Sequence, residues 1–297
     1  MTRTARVRHA VRKTVWGARQ VGGFRVIRGL LWLALLRIRR PQTVRCLTRN
    51  GMQVRFRYPS QLMPSLIVFG DLLEPELGLL PQFVHDGTVA IDVGSSIGTW
   101  TMAAARSGAR VIACEPDPAG LETLRANCLT NGLADRVTVR QLGLGDAGGR
   151  GRLLRQRTGY ANRVRPRREP ADGDGGLGRT GGNDVTEPEI AITTLDALAE
   201  AEGLDHLDVV KVNTAGGERE VLEGGLELLR RRAVGLLLVL DGLEVRPLLD
   251  KVRGFGYEMG IWDGTAQRLI PVATSALLDA APRGPMTRYV ILVRCEP

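Results

Sequence analysis

Apolar and polar positions alternate in two different ways along the chain. Between residues 43 and 58, apolar side chains occupy every second position on both sides of Asn50-Gly51. Asn-Gly between two alternating runs is the strongest short-range signal for a β-hairpin. The pattern therefore predicts two antiparallel strands joined at this turn.

From about residue 86, short β-branched runs alternate with stretches of helical periodicity. The runs predict strands at 89–93, 111–114, 137–141, 209–212 and 236–240, and a last pair at 257–262 and 289–293. The stretches between them predict helices over 118–129 and 218–232. Strands that alternate with helices form a mainly parallel sheet covered on both faces, so the sequence predicts an α/β fold.

These patterns divide the chain into three regions. We predict a basic helical arm over 1–40, a hairpin with its lead-in over 41–85, and an α/β domain over 86–297. In the arm, apolar positions recur with helical spacing until Gly22-Gly23 interrupts them. Within the α/β domain, residues 148–189 are rich in Gly, Arg and Pro and show no period. We expect a long flexible insertion there.

The positive charge of the chain belongs to the arm. Residues 1–40 contain eleven Lys and Arg and no Asp or Glu, which leaves 30 basic and 32 acidic residues in 41–297. A body so close to neutral argues against a basic nucleic-acid-binding face, so we expect no nucleic-acid partner. The arm suits two arrangements equally. Either it lies on an anionic membrane with its Leu and Trp side chains buried, or it packs on the domain or on a second copy of the chain.

No apolar run in the sequence approaches the ~20 residues that a membrane span needs. The longest, residues 30–36, runs into arginines instead of a signal-peptide cleavage site. The four cysteines include no C-x-x-C pair and the three histidines are far apart, so we expect no metal site. Reduced, buried thiols are typical of cytosolic proteins, and we predict a cytoplasmic location, with peripheral membrane contact as one use of the arm.

A glycine turn follows the first predicted strand of the α/β domain. It reads Asp92-Val93-Gly94-Ser95-Ser96-Ile97-Gly98 and leads into a predicted helix. Glycines let a backbone turn tightly and approach a ligand, and open α/β sheets bind ligands at such strand ends. The turn matches neither the G-x-G-x-x-G dinucleotide fingerprint nor a phosphate-binding loop with Gly-Lys-Ser/Thr. The pattern favours a ligand without phosphate over an ordinary strand–turn–helix corner.

An acidic residue, Glu115, ends the second strand, about 20 residues after the turn. A carboxylate in this place can accept hydrogen bonds from both hydroxyls of a ribose, so we predict that Glu115 binds an adenosyl group. The alternative is a solvated acid at a strand end.

The order and spacing of further motifs resemble the FkbM-type methyltransferases over about residues 70–270. The motifs are Glu74-Pro75-Glu76, 91–98, Glu115-Pro116-Asp117-Pro118, Leu124-Arg125-Ala126-Asn127, Asn131-Gly132-Leu133, Gly145-Asp146, Thr194-Leu195-Asp196 and 208–218. The resemblance implies a Rossmann-like class I methyltransferase fold, with a seven-stranded, mostly parallel sheet whose last strand is antiparallel. It also implies methyl transfer from S-adenosylmethionine to a hydroxyl of a sugar, a glycolipid or a polyketide-like product.

On this basis the expected partner is a small-molecule or glycan acceptor, and S-adenosylmethionine is the expected cofactor. The residues expected to bind this cofactor are Asp92, Gly94, Ser96, Gly98, Glu115 and Asp146.

The end of the fourth strand departs from the family pattern. Where the family reads K-x-D-x-E-G-x-E, this chain has Asn213 in place of the aspartate and Ala215 in place of the first glutamate. An amide can hydrogen-bond an acceptor hydroxyl but is no general base. The catalytic candidates are therefore Asn213, which would orient the acceptor, and Glu218 or Asp241, which would take its proton.

Three functions stay open at this point. The chain is an O-methyltransferase, or it is a catalytically degenerate protein that keeps the fold and binds ligands, which the replacements at 213 and 215 favour. A nucleic-acid methyltransferase is disfavoured, because residues 213–216 lack the D/N-P-P-Y/F segment of amino-methylating enzymes.

Overall fold

The computed structural model describes residues 15, 18–19, 21–48, 50–59, 63–70, 74–154, 163–166, 188–284 and 286–295. Most of the arm before Val21, and the parts 155–162 and 167–187 of the expected insertion, lie outside the described residues. The helices are α1 (Gly23–Arg39), α2 (Met63–Phe69), α3 (Leu80–Phe83), α4 (Thr99–Arg106), α5 (Pro118–Thr130), α6 (Leu195–Ala201), α7 (Glu218–Glu223), α8 (Leu226–Arg230) and α9 (Arg246–Arg253). Short 3₁₀ turns occupy Pro75–Leu79, Ala134–Arg136 and Ser275–Leu277.

All strands that the sequence predicts are present, and five further strands occur among the described residues. The strands are β1 (Thr43–Leu47), β2 (Gln53–Arg57), β3 (Val89–Val93), β4 (Arg110–Cys114), β5 (Val137–Arg140), β6 (Gly143–Leu144), β7 (Gly149–Leu154), β8 (Arg163–Pro166), β9 (Glu189–Thr193), β10 (Leu207–Val212), β11 (Val234–Leu240), β12 (Tyr257–Asp263), β13 (Arg268–Pro271) and β14 (Tyr289–Arg294).

Within the described part of the chain, eight strands form the central sheet in the order β13-β12-β14-β11-β10-β3-β4-β5. Strands β5, β4, β3, β10 and β11 run parallel, and β14 lies antiparallel between β11 and β12. The predicted Rossmann-like fold with an antiparallel last strand is thereby confirmed. The sequence pattern does not predict the eighth strand, β13. It forms because residues 257–271 fold back as a hairpin, in which Trp262 is paired with Leu269.

Side chains of the central strands alternate between two apolar cores, one on each face of the sheet. Ala90 of β3 belongs to the core that α4, α5 and the β1–β2 hairpin cover. Its neighbours Ile91 and Val93 belong to the opposite core, which α6 to α9 cover. Apolar residues on both faces are what a parallel sheet between two layers requires. The carboxyl ends of β3, β4 and β10 consequently meet at one edge of the sheet.

Two asparagines at the end of α5 hold the hairpin on the α/β domain. The side chain of Asn127 accepts the backbone N–H of Arg55 at 2.8 Å and donates to its carbonyl at 3.0 Å. Asn131 makes the same pair of hydrogen bonds to Gln53, at 2.9 and 2.8 Å. These bonds satisfy the backbone edge of β2 as a further strand would. Since Asn127 also donates to the carbonyl of Ile97 at 2.8 Å, the hairpin is tied directly to the glycine turn.

The helix predicted over 218–232 is wrong as a single element, because it breaks at Gly224-Gly225 into α7 and α8. A Cβ at Gly224 would collide with the carbonyl oxygen of Gly145. The carboxylate of Asp196 accepts the N–H groups of Glu227 and Leu228 at 3.1 and 3.0 Å, so it caps the second helix. The break therefore lets the chain pass close to the loop after β6.

A smaller sheet, β6-β9-β7-β8, occupies part of the region expected to be a flexible insertion. Strand β7 is antiparallel to both β8 and β9. Alternate residues of β7 are buried. The buried positions are Gly151, which has no side chain, and Leu153, which is apolar and large. A strand with one large apolar side chain on its buried face has almost no hydrophobic period, which explains why the pattern does not reveal it.

None of the helices in the described part of the chain combines the length and the apolar character that crossing a bilayer requires.

Candidate functional site

The glycine turn after β3 leaves no room for a side chain at Gly94. The residue has a φ of 76°, in the left-handed region, and a Cβ there would collide with the backbone carbonyl of Asn213 at the end of β10. The N–H groups of Gly94 and Ser95 both donate to the carbonyl of Cys114, at 3.0 and 3.1 Å. The turn is thus held between the ends of both neighbouring strands, which is why it needs glycine.

Glu115 lies beside this turn at the end of β4. One carboxylate oxygen accepts the N–H of Ser96 at 2.7 Å, and the other accepts the N–H of Asp117 at 2.9 Å. Burial raises the pKa of Glu115 to about 7, and these two backbone hydrogen bonds act in the opposite direction. Gly120 of α5 leaves space for the carboxylate, since a Cβ there would lie 3.3 Å from its carbon.

A buried ion pair lies beneath the turn. Lys211 Nζ of β10 is 2.8 Å from Asp92 Oδ1 of β3, and the side chains are 4% and 0% exposed. Asp92 also accepts the hydroxyl of Thr101 at 2.6 Å, and Lys211 reaches the carbonyl of Gly94 at 3.3 Å. With these partners, Asp92 fixes the lysine and the turn from behind.

A cavity of about 1190 Å³ opens over the carboxyl ends of β3, β4 and β10. Of the residues expected to bind the cofactor, Gly94, Ser96, Glu115 and Asp146 line it. Asp92 is fully buried below the wall, and Gly98 lies behind it as the N-cap of α4, with a φ of 87°. The structure therefore brings four of the six residues together at the surface of the cavity and gives the other two supporting positions.

Polar groups from three separate parts of the chain also line the cavity. The amide of Asn213 donates to the hydroxyl of Tyr289 at 2.7 Å. Arg288 Nη2 lies 3.3 Å from Glu74 Oε1. Asn213, Glu74 and Arg288 line the cavity, whereas Tyr289 does not. The second oxygen of Glu74 is buried without a hydrogen-bond partner among the described residues.

Glu76 fixes the start of β14. One of its oxygens accepts the N–H groups of Arg288 and Tyr289, at 2.7 and 3.1 Å. The side chain is 1% exposed, and burial raises its pKa to about 7. The Glu74-Pro75-Glu76 turn thus delivers one carboxylate to the cavity and one to its frame.

The two carboxylates expected to take a proton lie elsewhere. Glu218 accepts the N–H of Thr214 at 2.8 Å and that of Gly216 at 2.9 Å, and so closes the loop after β10 from behind. Asp241 is held by Arg246 at 3.0 Å and Arg283 at 2.7 Å. Neither lines the cavity, and their described contacts are structural, so the catalytic role expected for one of them stays a prediction.

Sequence reasoning did not assign site roles to Glu74, Lys211 or Arg288. The signal for Glu74 is the Glu74-Pro75-Glu76 motif, and Lys211 stands two residues before Asn213 as the first residue of the K-x-D-x-E-G-x-E pattern. Arg288 had no signal, because only the folded sheet brings the start of β14 beside Glu74.

The chemistry of the lining fits S-adenosylmethionine. Glu115 offers acceptor oxygens to a ribose diol, and Lys211 in the lining is already neutralised by Asp92. Among the described residues, acidic side chains outnumber basic ones in the lining, which suits a ligand with net positive charge better than a phosphate. The acidic ones are Glu74, Glu115, Asp117, Asp146, Glu220 and Glu223, and the basic ones are Arg150, Lys211, Arg219 and Arg288.

Comparison with known proteins gives a family match over most of the α/β domain. A family model described as the methyltransferase FkbM domain matches residues 92–257. Over 64 residues the chain is 38% identical to ribosomal protein L11 methyltransferase of Carboxydothermus hydrogenoformans. That alignment covers 21% of this chain and 21% of the relative, so the chain spans about a fifth of the length of this curated relative.

Solved structures with a similar arrangement are distant in sequence. A Streptococcus mutans protein in complex with SAH shares 10% identity, with a TM-score of 0.42 over 74% of this chain and 96% of that one. A SAM-dependent O-methyltransferase of Thermotoga maritima shares 15% identity, with a TM-score of 0.38 over 86% of this chain and 78% of that one.

Proposed function

The chain belongs to the methyltransferase FkbM domain family, and from this premise we propose that it methylates a hydroxyl group of a small-molecule or glycan acceptor. Membership makes it a methyltransferase, and the class I fold implies S-adenosylmethionine as the methyl donor. The oxygen as methylated atom and the acceptor class are the proposal. The four cysteines are free thiols, which supports the further proposal of a reducing, cytoplasmic location.

The observation that carries this proposal is the extent of the cavity. The same cavity is lined by Ser96 and Glu115 and by Glu74, Asn213 and Arg288. Its volume of about 1190 Å³ exceeds the ~300–1,000 Å³ of ordinary ligand pockets. A cavity of this size has space for an acceptor beside a cofactor bound at Glu115.

Asn213 can position an acceptor hydroxyl, and Glu74 can take its proton. When bound, S-adenosylmethionine supplies a methyl group on a positively charged sulfur. Asn213 is held by Tyr289 at 2.7 Å, which fixes the orientation of its amide beside the cavity. The carboxylate of Glu74, which lines the cavity and is 12% exposed, would take the proton of an acceptor hydroxyl as the methyl group is transferred. Positioning and desolvation of the hydroxyl supply the remaining rate enhancement.

Glu74→Gln is the variant that tests this assignment, because glutamine keeps the shape and the contact to Arg288 but cannot take a proton. We expect turnover to fall by about a hundredfold with unchanged cofactor affinity. The assay measures incorporation of labelled methyl from S-adenosylmethionine into a panel of sugars, glycolipids and hydroxylated secondary metabolites. Glu258→Gln, at an exposed position of β12, is the matched control. Full activity of Glu74→Gln would remove the proton acceptor from the proposal.

Asn213→Ala separates an enzyme from a degenerate binding protein. If Asn213 orients the acceptor, the variant loses about tenfold in turnover, as expected for one hydrogen bond. Cofactor affinity, measured by calorimetric titration, stays the same. A wild-type chain that binds S-adenosylmethionine and methylates no member of the panel, while Asn213→Asp with Ala215→Glu gains activity, would contradict the proposal and favour the degenerate protein.

Cofactor affinity should increase as pH rises through about 7. Burial raises the pKa of Glu115 to about 7 in the ligand-free protein, and ribose hydroxyls donate to the charged form, so protonation competes with binding. Below that pKa, each unit by which the pH falls is expected to weaken cofactor affinity by up to about tenfold. The same raised pKa affects the stability of the ligand-free protein in the opposite direction. This stability falls as pH rises from the ordinary glutamate pKa to about 7.

Calorimetric titrations with S-adenosylmethionine between about pH 5.5 and 8.5 measure this profile. Glu115→Gln should bind more weakly and show a flat profile. Glu76→Gln is the control, because Glu76 has a similarly raised pKa but lies away from the ribose end, and its profile should match the wild type. A wild-type affinity independent of pH contradicts the role given to Glu115.

A further inference from the structure

Helix α1 carries two apolar stripes on opposite sides. One stripe is buried: Gly29 and Leu36 are covered, and Leu33 packs against the core. At Gly29 the helix crosses α2 so closely that a Cβ would lie 3.0 Å from Val68 Cγ2. This first stripe fixes α1 on the domain.

The second stripe faces solvent. Phe24, Ile27, Leu31, Leu35 and Ile38 follow one another at spacings of three or four residues, which places them on one side of a helix. Phe24 is 81% exposed and Ile38 is 79% exposed at the two ends of the stripe. We call these five side chains the outer stripe. Isolated exposed apolar residues are normal, but a continuous row along a helix marks an interaction surface.

Arginines border the outer stripe on one side. At 100° per residue, Arg28 and Arg39 fall beside Leu35, whereas Arg37 lies closer to Leu33 of the buried stripe. Residues 1–70 contain 15 Lys and Arg and no Asp or Glu. The remaining 71–297 have 26 basic and 32 acidic residues, so the chain has a strongly positive N-terminal part and a negative remainder.

This charge distribution decides between the two coverings that the sequence left open. A second copy would bring two strongly positive N-terminal parts together along the outer stripe, which like-charge repulsion opposes. An anionic bilayer accepts the apolar row below its headgroups and pairs each flanking arginine with a phosphate. The charge complementarity therefore favours lipid.

Helix α1 packs on α2, and α2 contributes to the wall of the cavity. Leu66 and Gly70, on α2 and directly after it, line the cavity, as do Thr48 and Met52 of the hairpin. Since α2 packs on α1, an object bound to the outer stripe lies against the unit that walls the acceptor site. We propose that α1 docks this protein on an anionic lipid surface, with the outer stripe inserted at the headgroup boundary and the arginines on phosphates.

Vesicle flotation of the full-length protein tests the docking. We expect binding to vesicles of phosphatidylcholine mixed with phosphatidylglycerol, little binding to phosphatidylcholine alone, and release as salt rises. Ile27→Glu with Leu31→Glu should lower the bound fraction by about tenfold or more, because two inserted side chains are lost and two negative charges are added. These side chains are 60% and 67% exposed, so the variant should keep the wild-type melting temperature.

Leu129→Glu is the matched control, since Leu129 is a 72% exposed leucine on α5, away from α1, and its variant should bind as the wild type does. Vesicle binding that is unchanged in the double variant overturns the proposal. The proposal is also overturned if the wild type is a dimer in solution and the double variant is a monomer, because a second copy then covers the outer stripe. Absence of binding to both vesicle types also overturns it. None of these outcomes depends on methyl transfer, so the docking and the proposed function fail separately.

Discussion

Replacing Gly94 by alanine is expected to lower the affinity for S-adenosylmethionine by about a thousandfold, from the micromolar to the millimolar range. Two effects act together at this position. The left-handed backbone conformation at a φ of 76° is strained for alanine by about 1–2 kcal/mol. The new Cβ also collides with the carbonyl of Asn213, and a backbone group cannot turn aside as a side chain can. The ends of β3 and β10 must therefore separate, which opens the site that both strands form.

Two further glycine-to-alanine variants show whether the collision or the strain is responsible. Gly203 has a φ of 66° with open space around it, so Gly203→Ala should lower the stability of the protein and leave its cofactor affinity unchanged. Gly98 has a φ of 87°, and the atom nearest to a Cβ there is Cδ1 of the Leu124 side chain instead of a backbone group, so its variant should bind with intermediate affinity. Calorimetric titration with thermal unfolding measures both quantities. A Gly94→Ala protein that binds as tightly as the wild type would show that the turn does not form the cofactor site.

Lys211→Met is expected to lower the free energy of unfolding by about 3–5 kcal/mol. The substitution leaves Asp92 with a charge in a fully buried place and with Thr101 as its remaining side-chain partner. Removing one member of a buried ion pair is costly because the other cannot return to water. Adding Asp92→Asn to this variant removes the uncompensated charge, so the double variant should recover much of the loss.

Urea unfolding of the two single variants and the double variant measures the coupling between these side chains. The control is Arg230→Met, which breaks the exposed pair with Glu227, in which the side chains are 64% and 50% exposed. That loss should stay below about 1 kcal/mol. Additive effects of the substitutions at 92 and 211 would contradict a coupled buried pair.

The part of the site that the sequence predicts is the part made by consecutive strand–turn–helix units. The glycine turn and Glu115 follow short strands with a clear hydrophobic run, and parallel neighbours place their ends together. Asp92 was assigned to the cofactor because it belongs to the same motif. Its burial with Lys211 depends on β10, which is more than a hundred residues away in sequence, so local pattern could not reveal that it supports the turn from behind.

Apart from Asn213, the acceptor part of the cavity was beyond local reasoning for the same cause. It joins Glu74, Asn213 and Arg288, which come from a 3₁₀ turn, a strand end and the start of the antiparallel strand. Glu218 and Asp241 stand at plausible places in the sequence, but backbone N–H groups and arginines already hold their oxygens. The break at Gly224-Gly225 likewise depends on the tertiary approach of Gly145, whereas the helical period alone continues across it.

The most direct test of the account is a calorimetric titration of the full-length protein with S-adenosylmethionine, repeated with Glu115→Ala. The account predicts one-to-one binding in the micromolar range, about −8 kcal/mol, and a loss of at least about tenfold in the folded variant. A folded wild-type protein that does not bind S-adenosylmethionine, or a Glu115→Ala protein that binds it equally well, would contradict the cofactor site described at the ends of β3 and β4.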